Sequence, residues 1–260
     1  MTRPRGRLVR KFRRRVVPEF GIRTPPAGDD GTVQVFLFAA VAASAILGGA
    51  ALGAFWDPPK ALRASLLAFA AGALVTATTF ELFEKAERQA GLVTAATALA
   101  VGAAVFIGAD WFVERESGGR EAVGLALVIA VTLDGVPENL ALGVTLEHGG
   151  SYALLAAIFA SNFPEALGGA AIFRSGNGSG RRAFLLWTAV AVLLAVALVA
   201  GRIVAEPASD RLVAVLLAFA AGAVLASIAD TVMPEAYAEG GPLVAFATAA
   251  GFLLAYALAM

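Results

Sequence analysis

The chain has 260 residues, of which 59% are hydrophobic and 15% charged, with a mean hydropathy of +0.77. No water-soluble domain hides that many apolar side chains in one core, so lipid is the solvent for most of this sequence. Net charge is zero but uneven, with nine of the twenty Lys and Arg before residue 24, and the absence of cysteine excludes disulfides, thiolate metal sites and cysteine nucleophiles.

In chain order, residues 1–32 read as a basic, disordered arm, better suited to anionic headgroups than to nucleic acid. It is not read as a signal peptide, because the apolar run that follows, Val33 to Trp56, is too long and too far from the start. A membrane-spanning helix needs about 20 mostly apolar residues. Cutting at polar, Gly and Pro punctuation gives eight such segments, at 33–56, 61–83, 92–113, 121–146, 152–173, 183–204, 211–233 and 242–260. Their connections are short, so residues 33–260 are expected to form a single all-α integral membrane domain of eight transmembrane helices.

Two internal repeats organise these segments. Leu66-Leu67-Ala68-Phe69-Ala70-Ala71-Gly72-Ala73 in the second recurs unchanged as Leu216 to Ala223 in the seventh, and each segment is followed by a glycine, Gly91 and Gly241. Segments five helices apart cross the membrane in opposite directions, which is the inverted-repeat arrangement of many transporters. The second repeat sets Asp134-Gly135-Val136-Pro137-Glu138-Asn139-Leu140, in the fourth segment, beside Ser161-Asn162-Phe163-Pro164-Glu165-Ala166-Leu167, in the fifth. Both motifs fall near mid-segment and are expected to meet at the bilayer midplane.

An ionised side chain at the membrane centre costs at least ~2.5 kcal/mol. Neither central portion supplies a Lys or Arg, so Asp134, Glu138 and Glu165 need a bound cation, a shared proton or water. Asp134 and Glu138 are four apart and share a helix face, as do Ser161 and Glu165, while Asn162 lies three before Glu165. Pro137 and Pro164 each free the carbonyl four residues earlier, that of Leu133 and of Ala160. Broken helix of this kind is tolerated at membrane depth where it lines a cavity or is buried in protein. The expected metal site is Asp134, Glu138, Ser161, Asn162 and Glu165.

At these residues the sequence resembles the ZIP (Zrt/Irt-like) family of divalent metal transporters, whose helix-four motif is His-Asn-x-Pro-Glu-Gly and whose helix five carries His-x-x-Pro-Glu. Asp134 stands at the first His, Gly135 at the Asn and Pro137-Glu138 at the Pro-Glu; Ser161 matches the second His, Asn162 the adjacent metal-facing position, and Pro164-Glu165 the second Pro-Glu. Met233-Pro234-Glu235 resembles the family's Pro-Glu-Ser segment. The resemblance implies a three-plus-two-plus-three arrangement, in which helices one to three and six to eight form inverted repeats around four and five. It also implies metal transport by an elevator-like movement, dimers, both termini outside and a multi-pass place in the cell membrane. Both expected histidines are missing, and the only His, His148, lies in the loop between segments four and five. An all-oxygen set suits Mn, Mg or Fe(II) better than zinc.

Glu81 and Asp230 fall near the ends of their segments and are expected to face headgroup water. Glu147 with His148 reads as a solvated turn, and Asp110, Trp111 and Trp56 as interfacial anchors. The basic arm argues for an inside N-terminus. The loop charges argue for the opposite, with seven Lys or Arg (60, 63, 115, 120, 174, 181, 182) on the inner side and four (85, 88, 202, 211) on the outer. Two further transport-related readings stay open: a proton-coupled or other small-solute carrier, and a transport-dead homologue of the family. An enzyme is not expected, since nothing resembles the Gly-Asp motifs of aspartyl intramembrane proteases, and no prosthetic group is expected.

Overall fold

The computed structural model describes residues 30–116, 123–176 and 179–260. Most of the basic arm, and part of two loops, lie outside them. The regular structure of the described residues is all helix, without a strand: α1 (Asp30–Gly53), α2 (Lys60–Ala77), α3 (Glu84–Ala90), α4 (Leu92–Glu116), α5 (Val123–Thr145), α6 (Tyr152–Ser175), α7 (Gly180–Ala205), α8 (Asp210–Ser227), α9 (Met233–Gly240) and α10 (Val244–Ala259). Six helical stretches among them are long and apolar enough to cross a membrane: Gly31–Gly53, Lys60–Ala90, Leu92–Phe112, Tyr152–Ser175, Gly180–Ala205 and Asp210–Ala259. This is the makeup of a multi-pass membrane protein.

The boundaries depart from the sequence reading in instructive ways. Residues 30–32, read from the sequence as part of the arm, are helical and continuous with the rest of α1. The second segment does not stop at 83. It continues as a π-turn (Thr78–Phe83) and then α3, ending at Gly91, where φ is +81°. The charged run Glu84-Lys85-Ala86-Glu87-Arg88 is not a loop, because i,i+4 pairs such as Glu84–Arg88 suit a helix leaving the hydrocarbon. The seventh segment behaves alike, passing through a π-turn (Ile228–Val232) into α9 before Gly241, where φ is +63°. In the register of the octapeptide repeat, Thr78 corresponds to Ile228 and Gly91 to Gly241. The two copies therefore share their π-turns and their left-handed stops as well as their sequence.

Packing follows the same correspondence. Helix α10 packs along α2, and α4 along α8; α1 packs along α6, and α7 along α5. Small residues let these backbones approach, as they do between helices in lipid. A Cβ on Gly72 would collide with the Thr248 carbonyl, and one on Gly222 with the Leu99 carbonyl. Their partners are glycines in turn: Gly251 lies against the Phe69 carbonyl and Gly102 against that of Phe219. On the other side of the molecule Gly53 lies against the Leu167 carbonyl and Gly201 against that of Leu140, three residues past each proline.

Candidate functional site

Helices α5 and α6 carry Pro137 and Pro164 in their interiors and touch one another. Helix α6 starts cleanly because the Ser151 side chain accepts the Leu154 N–H at 3.1 Å. Asp134 and Glu138 are buried on α5; Ser161 and Asn162 are buried on α6, and Glu165 is half-buried there. The structure thus brings all five expected residues to the region where the two helices meet.

Their roles differ. Asp134 and Glu165 line a cavity of about 120 Å³ together with Pro164, Gly168, Thr231 and Glu235. Glu138, Ser161 and Asn162 are not part of that lining. Glu138 instead lies deeper, within hydrogen-bonding reach of the Ser161 hydroxyl. The Ser161 hydroxyl is also placed to donate to the Ile158 carbonyl at 3.1 Å. Asn162 is 1% exposed, and neither atom of its amide has a protein partner. Asn139 is equally buried; it donates to the Gly135 carbonyl at 2.9 Å, leaving its own oxygen unpartnered. Unpartnered amide groups at this depth are costly in a closed core and are explained by water or a passing ligand.

The third wall comes from α8 and its π-turn. The Thr231 hydroxyl lies 3.4 Å from the Asp134 carboxylate, sharing its one proton between that group and the Ser227 carbonyl at 2.7 Å, and the Ser227 side chain lies within hydrogen-bonding reach of the same carboxylate. Sequence reasoning missed both. The signal was present, because Ser227, Thr231 and Glu235 are spaced i, i+4, i+8 and form one polar stripe on an otherwise apolar helix. Glu235 is exposed, so the lining runs from a buried acid to an open one. Glu165 is close enough to Asp134, Glu138 and Glu235 for their charges to act on one another.

One expectation is corrected. Glu81 does not face headgroup water: it is 8% exposed, inside the π-turn that follows α2, and it accepts from the Lys85 ammonium at 2.6 Å. The extra helical turns beyond residue 83 draw it inward. Glu147 and His148 lie exposed in the turn after α5, as expected, and there Glu147 pairs with Arg202, which also approaches Glu206 at 3.5 Å. Asp110 is not only an interfacial residue, since its charge acts on Asp134.

Donor geometry sets a limit on the site. Among the described residues no three His, Asp or Glu side chains lie together closely enough to hold a metal ion in this conformation. The oxygen donors form a line along the two helices and the α8 stripe, more than a closed cage. No family model matches the chain. No curated protein matches it either.

Proposed function

We propose that this chain is a divalent cation transporter of the cell membrane with eight spans in a three-plus-two-plus-three, ZIP-like arrangement, its ion passing between α5 and α6. The single observation that carries this reading is the line of acids, Asp134, Glu138 and Glu165, on two helices with interior prolines, opening through Thr231 to exposed Glu235. Buried acids in lipid need positive charge, and among the described residues no Lys or Arg forms an ion pair with these three. The matched π-turns, glycine stops and helix crossings support the inverted repeat, with α1 to α4 and α7 to α10 as its halves. All-oxygen donors favour Mn or Fe(II) over zinc.

The test is flux into proteoliposomes loaded with a metal-sensing dye. Wild type carries Mn or Fe(II), and Glu138→Ala and Glu165→Ala lose most of it; equal flux in all three discards the reading. A second reading, in which the same acids carry protons for a different solute, draws on the open spacing of the carboxylates. It predicts a steep pH dependence with no dependence on metal.

A further inference from the structure

The two halves of the repeat, laid in register, expose a reversal of charge. Thr231 corresponds to Glu81, and Glu235, one turn further along, corresponds to Lys85. On α5 the partner of Thr231 is Asp134; the residue matching Asp134 on α6 is Ser161. The cavity side therefore has a hydroxyl on the π-turn, an acid on the central helix and an acid at the mouth. Its counterpart has an acid on the π-turn, a hydroxyl on the central helix and an ammonium at the mouth.

The π-turn after α2, which bears Glu81, touches α6, which bears Ser161. Two buried groups on these same elements lack a protein partner: the hydroxyl of Thr78, first residue of the π-turn, and the amide of Asn162, next to Ser161. Ser161 leads on to Glu138. Lys85 is half-exposed, so its ammonium reaches Glu81 from the water side.

We propose that Glu81 is a cation-binding carboxylate on the route from the face opposite the cavity toward Ser161 and Glu138, and that the Lys85 ammonium is the cation that occupies it until a divalent ion displaces it. The inference rests on the transporter reading above. An internal ammonium competes with the ion at this mouth, whereas Glu235 attracts ions at the other, so the two faces differ in apparent affinity.

The experiment compares Mn uptake by right-side-out and inverted membrane vesicles. From one face only, Lys85→Gln lowers the KM for Mn several-fold and Glu81→Gln raises it several-fold, with little change in maximal rate; the double variant follows Glu81→Gln, and Lys85→Arg keeps the wild-type KM. From the other face all four stay within about twofold. A merely structural ion pair predicts instead that both single variants err in the same direction on both faces, or that neither moves KM; either result overturns the proposal while leaving the transporter reading intact. If wild-type vesicles take up no Mn and Glu138→Ala is indistinguishable from wild type, the reading fails and the proposal falls with it.

Discussion

At Asp134 the neighbours are hydroxyls, from Thr231 at 3.4 Å and from Ser227. A hydroxyl can donate to an empty carboxylate and then turn its lone pairs to an arriving cation, which an ammonium cannot do. Thr231→Val keeps the shape and removes that adaptable group. A net hydrogen bond of about 0.5–1.5 kcal/mol translates into a KM for Mn raised roughly two- to tenfold, and Thr231→Ser restores it; equal KM values across the three would remove Thr231 from the site. Asp134→Asn keeps the volume but not the charge and abolishes at least nine-tenths of the flux, measured in the same vesicles.

The residue scale also shows what the sequence could and could not convey. Asp134, Glu138, Ser161, Asn162 and Glu165 were legible because acids and amides beside prolines in apolar segments have few ordinary explanations. Their spread along a line, with only Asp134 and Glu165 at the cavity, was not, since i,i+4 spacing fixes a helix face but says nothing about the distance to the next helix. Glu81 was misread for a different reason. Its position was judged from where hydropathy falls, and paired charges carry the helix well past that point.

Among the elements, the prolines and the π-turns mark where regular helix gives way. Pro164 removes a backbone donor from the middle of α6. Pro164→Ala lets the Ala160 carbonyl regain its helical partner. The variant is expected to melt at or above the wild-type temperature in detergent while transporting more slowly; loss of stability instead would show that the break serves packing and not the path. Both π-turns sit at the level of the site, one bringing Thr231 to Asp134 and the other bearing Glu81. Neither was legible, because no residue pattern distinguishes a six-residue π-turn from ordinary helix, although π-turns often accompany functional positions. The octapeptide repeat was legible and correctly related the two helices that carry them.

For the whole molecule, the ion pair of Arg63 with Glu239 ties the start of α2 to the end of α9, with the arginine stem lying against Gly168 of the cavity wall. Both side chains are largely buried, so removing one partner strands a charge. Arg63→Ala and Glu239→Ala each lower the melting temperature, and the double variant lowers it less than the two effects summed, because neither charge is then left alone. Additive losses would mean that the pair is independent surface charge. Gly222→Val, which drives a side chain into the Leu99 carbonyl, costs about 1–3 kcal/mol or more in thermal unfolding; Gly108→Val, where a Cβ meets nothing within 4 Å, leaves it unchanged.

The glycine crossings that join α2 to α10 and α4 to α8 have a mechanical consequence. With backbones in direct contact and no layer of side chains between them, each of these pairs is held as one unit. Helices α5 and α7 are joined by glycines in the same way, and under the proposed transport reading the seam where Asp134 meets Thr231 lies between two such units, where alternating exposure of the two faces would be felt first.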